Sequence, residues 1–294
     1  MRGVTVKMES RVKWSWILRI SLLVSALLAA TGSSAQNPAV APVSPEIFSP
    51  AQTNLTISGV FRQAKRDRRV RTAVLVPDST FFAPDGTIAT MGNEGYTLVD
   101  VDIDTSTGQR LYSALFESGV PSTQYWELVP NDFQNKVAAL DGQGIRLISL
   151  HTYVSTAGTL FYSGVFQRSP DPERYPGDLS WSDFTHLIDA WAPAGYLLTN
   201  VAVFVSGGQE RYLGVWRYRP EHSSRSAFWV SEWNSFAKQG QWENALGLRL
   251  VSMAHWEFNG DRKYGGVWLE GHDAYDVVAA TDASVYTRHS EQWH

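Results

Sequence analysis

Four stretches of this chain follow one plan, and that self-similarity constrains the fold more than any other property. Gly195–Tyr218 reads GYLLTNVAVFVSGGQERYLGVWRY: two short strands joined by a Gly-Gly turn, the second closing on an aromatic. Its relatives are GYTLVDVDIDTSTGQRLYSALFES from Gly95, GIRLISLHTYVSTAGTLFYSGVFQR from Gly144 and GLRLVSMAHWEFNGDRKYGGVWLE from Gly247. Tyr112, Tyr162, Tyr212 and Tyr264 fall 50, 50 and 52 residues apart. A period of this length marks a repeat architecture, in which each unit buries its apolar face against its neighbours.

A strand and a helix complete each unit. Opening strands are expected at Ala73–Val76, Trp126–Val129, Leu179–Trp181, Phe228–Val230 and Val277–Ala280. Polar pairs follow that can cap a helix: Asp78-Ser79, Asn131-Asp132, Ser182-Asp183 and Asn234-Ser235, with Asp282 in the last unit. Phe184, Leu187, Ile188 and Trp191 then form one apolar helical stripe, repeated by Phe133, Val137 and Leu140 and in outline by Tyr286 and Trp293. Phe133, Phe184 and Phe236 each stand 11 residues before a glycine (Gly144, Gly195, Gly247) suited to a left-handed helix end. In the first unit Pro84 and Gly86 should break the helix.

Within the hairpins, Val99/Val101/Ile103 and Thr199/Val201/Val203 alternate as one strand face directed at the helices. Ala114, Gly164, Gly214 and Gly266 hold one register position, two residues before Phe116, Phe166, Trp216 and Trp268. A small residue there implies close approach beneath a large ring.

The fold class expected is therefore α+β, with tandem strand-helix-hairpin units over residues 54–294. The units run over 73–118, 126–168, 179–218 and 227–270, with a composite of 275–294 and 54–63. The N-terminal end supplies Ile57-Ser-Gly-Val-Phe61, a second hairpin strand without its helix. The C-terminal end supplies a strand and helix without their hairpin. Joining them, with residues near Phe61 beside those near Val277, would close a five-unit propeller-like ring and hide the sheet edges. An open solenoid is the alternative.

Residues 1–35 read as an export signal. Arg2, Lys7, Arg11, Lys13 and Arg19 precede the apolar run Ile20–Ala30, and Ser33 and Ala35 suit a cleavage site. Residues 36–53, rich in Pro, Ala and Ser, read as an extended, disordered lead-in. Removal of the leader leaves 20 basic and 28 acidic residues, a net charge of −8. That charge disfavours nucleic acid as a partner, and no membrane association is expected after cleavage. With no cysteine, an exported chain depends on buried surface for stability, which its 12 Trp, 12 Tyr and 13 Phe can supply.

The opening G-Y/I/L-x-L and the closing Y-x-G/A segment before Trp or Phe, in four registered copies, resemble the structural repeat of polyglycine hydrolase-like proteins. That repeat is also described as a bacterial tandem repeat domain. In that family the repeats form a non-catalytic region beside a serine β-lactamase-like peptidase domain. The resemblance implies a repeat module. Together with the leader, the function expected is a secreted non-catalytic module for binding or scaffolding, with a serine hydrolase, or an accessory to one, as the alternative.

Ser235-Phe-Ala-Lys238 matches the S-x-x-K nucleophile pattern, in which a lysine one helical turn on takes the serine proton. Phe236, however, occupies the same aromatic position as Phe133 and Phe184, so the motif falls on an ordinary repeat helix. Asp100, Asp102 and Asp104 alternate along one strand, and Thr105 and Leu111 spoil a calcium-loop pattern there. The matching positions elsewhere carry Ser149, His151 and Tyr153, then Asn200 and Phe204, then Trp256. If the units converge, Asp100, Asp102, Asp104, His151, Tyr153, Asn200, Phe204 and Trp256 could line one surface for a glycan or peptide. Packing of the aromatics is the competing account. The basic run Lys65–Arg71 reads as a solvated loop. His151 and His255 stand one register place apart, against a shared metal site, and no cofactor motif is present.

Overall fold

The computed structural model describes residues 57–62, 69–219, 226–271 and 275–281. The leader, the lead-in, Lys65–Arg68 and the helix expected around Tyr286 and Trp293 lie outside the described residues.

β1 (Ile57–Arg62) opens the described chain. The first complete sheet follows, from β2 (Val70–Pro77), β3 (Tyr96–Asp104) and β4 (Leu111–Ser118), with α1 (Asp78–Phe81) and α2 (Thr87–Asn93) between β2 and β3. The second holds β5 (Thr123–Leu128), α3 (Pro130–Asp141), β6 (Ile145–Val154) and β7 (Leu160–Arg168). The third holds β8 (Glu173–Arg174), α4 (Trp181–Trp191), β9 (Tyr196–Ser206) and β10 (Gln209–Tyr218). The fourth holds β11 (Ser226–Ser231), α5 (Trp233–Ala245), β12 (Leu248–Phe258) and β13 (Asp261–Glu270). Strand orders are β2-β4-β3, β5-β7-β6, β8-β10-β9 and β11-β13-β12. The second hairpin strand is thus central each time, flanked by the opening strand and the first hairpin strand, and the pairings are antiparallel. β14 (Tyr275–Thr281) pairs with β1, setting Val60 opposite Val277 and Phe61 opposite Asp276.

The helices begin earlier than their polar pairs suggest. N-caps are Val129, Ser180 and Glu232, and the expected capping pairs lie inside the first turns. Pro130 explains α3: it has no N–H to lose at the first helical position, and its fixed φ starts the helix at once. Ser180 caps α4 by accepting from Asp183 N. Leu179–Trp181 is not a strand. Leu179 makes an isolated bridge to Tyr212, and Trp181 already belongs to α4. In the first unit Pro84 and Gly86 do divide the helix, leaving α1 and α2. Gly144, Gly195 and Gly247 have φ of +72°, +81° and +81°, the left-handed conformation that glycine adopts readily and that follows each helix.

Strict alternation fails at one repeated place. Each first hairpin strand carries one extra residue: Val99, Ile148, Thr199 and Val251 stand where the partner strand supplies no additional residue. These are β-bulges. They swing Val99 and Thr199 out of the buried face, so that Leu98 and Leu198 join Val101 and Val201 there. They also set the direction of Asp100, Ser149, Asn200 and Ser252, each the next residue along.

The core fills the seams between units. Phe204 lies 5.7 Å from Tyr162 of the preceding unit, and Trp256 lies 6.2 Å from Tyr212. Each such side chain contributes about 1.5–3 kcal/mol by leaving water. Beneath the central strands the small-residue position behaves as its register suggests. A Cβ on Gly164, Gly214 or Gly266 would fall 2.5, 2.5 and 2.6 Å from Leu147, Trp216 and Trp268.

Candidate functional site

The bulges of β3 and β6 bring Asp100, Asp102, Ser149 and His151 together across two units. His151 Nε2 is 3.1 Å from Asp100 Oδ1, and its Nδ1 is 3.4 Å from Asp102 Oδ1. Ser149 donates to the same Asp100 oxygen. Asp100 and Asp102 keep 51% and 37% of their side-chain surface open. Crowding by protein opposes their charge, yet the hydrogen bonds to His151 hold both below the ordinary carboxylate range. Burial also opposes charge on His151, but the two carboxylates outweigh it and raise its pKa to about 10. His151 is therefore an imidazolium at neutral pH, with both nitrogens acting as donors. His255, on β12, feels Asp102 and Asp104 as well, but burial dominates and lowers its pKa.

The remaining expected site residues are dispersed. Asp104 accepts from Ser106 N at 2.6 Å and closes its own turn. Asn200 is half-buried, with an Oδ1 that has no partner. Phe204 and Trp256 are buried in the seams because their ring area is worth more there than at a surface. The Trp256 indole donates to Glu210 at 2.7 Å. Ser235 and Lys238 stand exposed on α5, the Ser235 hydroxyl donating to Glu232 at 3.3 Å.

Tyr153 points elsewhere, into a second polar centre. Its hydroxyl donates to Glu127 Oε2 at 2.7 Å. Glu127 also receives Arg110 at 3.1 Å, Tyr112 at 2.8 Å and Tyr125 at 2.5 Å. Arg110 turns its other nitrogen to Asp78 Oδ2 at 2.8 Å. Burial first, then the Glu127 charge, pushes Tyr112 and Tyr125 far above the ordinary tyrosine range. Burial with the Glu127 hydrogen bond raises Tyr153 to about 12. All three hydroxyls stay protonated and donate, so one carboxylate ties the first unit to the second.

Outside this clamp opens a cleft of about 680 Å³, lined by Asp78, Gln109, Arg110, Tyr153, Thr156 and Phe161 among others. Tyr153 and Phe161 stack within it at 5.3 Å and 12°. Sequence reasoning missed Asp78, Arg110, Tyr125 and Glu127. The one available signal was Glu127, the only charged residue in the strand TQYWEL.

No curated protein matches the chain. Residues 119–169 and 177–219 match the family model of the polyglycine hydrolase-like structural repeat. These segments hold the second sheet with its helix and the α4-β9-β10 part of the third, each a strand-bulge-hairpin assembly sealed by an aromatic seam. Over residues 119–169 and 177–219 the chain is thus similar to the polyglycine hydrolase-like structural repeat, in two tandem copies.

Proposed function

We propose that the chain is a non-catalytic repeat module that binds a glycan or peptide ligand, its units closed into a five-membered propeller-like ring. The observation that carries the binding reading is the cleft of about 680 Å³ at the first seam. There a stacked aromatic pair meets side chains fixed by the Glu127 clamp, the mixture of apolar wall and placed polar groups that small-ligand sites use. Ring closure is supported by the pairing of β1 with β14. It is supported also by His255 of the fourth sheet lying within the field of Asp102 and Asp104 of the first. Export, read from residues 1–35, would place the module outside the cytoplasm.

The test is a mixed glycan and peptide array probed with the purified chain. Reproducible hits support a binding module. A blank array would leave only a structural role, and a covalent adduct with a serine-reactive fluorophosphonate, lost in Ser235→Ala, would favour the hydrolase instead.

A further inference from the structure

We propose that the cleft at the first seam is a site for a neutral saccharide; this rests on the binding reading above and names the ligand class for the same site. Three features of the cleft carry it.

The first is charge. Arg110 is the cation at the cleft wall, and both of its outer nitrogens are occupied by Asp78 and Glu127. The three groups together carry a net negative charge, so a phosphate or acidic polymer gains no counter-charge there. A neutral ligand suffers no such penalty. The paired guanidinium and carboxylate still present planar edges at fixed angles, which suits the paired hydroxyls of a sugar ring.

The second is shape. The walls are two hairpin tips, Gly108–Arg110 and Ser155–Thr159. Their backbone groups are closed upon themselves: Gly108 N donates to Thr105 O, Ser155 N to Thr159 O and Gly158 N to Ser155 O. Peptide recognition commonly adds a strand to an open sheet edge, and these tips offer none. What faces the cleft is instead hydroxyl and amide: Ser79, Gln109, Thr156 and Thr159 are all exposed. Phe161, braced by Tyr153, supplies the apolar surface for the C–H face of a pyranose.

The third is strain. Leu75 has φ of +52°, the left-handed conformation that leucine rarely adopts. It sits in an irregularity of β2 between Ala73 and Val76 and is held by donation from its N–H to Ser113 at 3.2 Å. β5 and β11 pair without such a break. The break turns the end of β2 so that Pro77, Asp78 and Ser79 line the cleft. Strain that delivers polar groups to a cleft is expected at a functional site.

Calorimetric titration of the purified chain with cellohexaose, chitohexaose and mannohexaose, alongside polygalacturonate and a mixed peptide library, tests the inference. Gln109→Ala and Thr156→Ala alter exposed rim positions outside the clamp, and Trp242→Ala on α5 is the control. A neutral oligosaccharide should bind, and each rim variant should weaken it about five- to tenfold, the loss of one hydrogen bond, with the control unchanged. Sugar binding indifferent to both rim variants would overturn the site while leaving a binding module. Rim-dependent binding of polygalacturonate or peptide alone would overturn the ligand class. Silence from every probe would overturn both readings.

Discussion

His151 Nε2 and Asp100 Oδ1 meet at 3.1 Å from neighbouring strands, although 51 residues separate them in sequence. Two neighbouring bulges make the meeting possible. It also makes the seam between the first two units sensitive to pH.

The sign follows from the shifts. His151 titrates near pH 10 when folded and near 6.5 when unfolded, so its contribution is complete below about 6.5 and is lost as pH rises through 10. Asp100 and Asp102 are lowered, so theirs is present above about pH 4 and is lost as pH falls through the depressed values. The cluster stabilises most between about pH 4 and 6.5. His151→Gln should cost about 1–2 kcal/mol at pH 6, after allowance for the open carboxylates, and much less at pH 10. Urea midpoints at the two pH values measure this. An equal loss at both would refute the pairing.

Glu127 should be the costliest carboxylate to remove. Four donors converge on it, and its side chain is 12% exposed. Glu127→Ala should cost on the order of 3–5 kcal/mol, because the Tyr125 and Tyr153 hydroxyls lose their acceptor while Arg110 and Tyr112 keep only Asp78. Tyr125→Phe and Tyr153→Phe should each cost about 1 kcal/mol, and the pair should be non-additive. A double-mutant cycle by chemical denaturation decides it. Strict additivity would mean that the hydroxyls do not share one acceptor.

Small-residue positions under the rings should tolerate change in one direction only. At Gly214 a Cβ would fall 2.5 Å from the Trp216 ring and 2.8 Å from Leu198. Gly214→Ala should therefore lose about 1–3 kcal/mol by overpacking. Ala114, the same register position beneath the smaller Phe116, should lose under about 1 kcal/mol on change to Gly. Thermal melts of both variants test the asymmetry.

Much of this scaffold was legible because repetition writes each packing rule several times. The spacing of Tyr112, Tyr162, Tyr212 and Tyr264, the glycine helix ends and the Phe184 stripe each recur in register. The bulges were not legible: Val99 and Thr199 fit a period-two pattern, and an extra residue in one strand shows only against its partner's hydrogen bonds. The site was half legible. Asp100, Asp102 and His151 could be grouped by aligning units, since they share register positions. Tyr153 could not be sent to Glu127 by the same means: Glu127 lies on the opening strand of the same unit, and the clamp is completed by Arg110 and Tyr112 from the unit before. Phe204 and Trp256 show why aromatics at a repeated position read ambiguously: large rings serve seams and ligand walls equally well.

Glu173 should act against the usual behaviour of a carboxylate. Its Oε1 accepts from Leu147 N at 2.8 Å, while Oε2 is buried without a partner. Burial raises its pKa to about 7 despite the Leu147 hydrogen bond and the charges of Arg217 and Arg146. The folded state thus keeps a proton that the unfolded chain releases near pH 4.3, and stability from this group declines as pH rises from about 4.3 to 7. Glu173→Gln retains an acceptor for Leu147 N and cannot ionise. It should match or slightly trail the natural chain at pH 4.5 and exceed it at pH 8, by about 1 kcal/mol or more. Urea midpoints at both pH values read this directly. Parallel behaviour of the two proteins across that range would mean that Glu173 ionises freely, and that water reaches the seam between the second and third units.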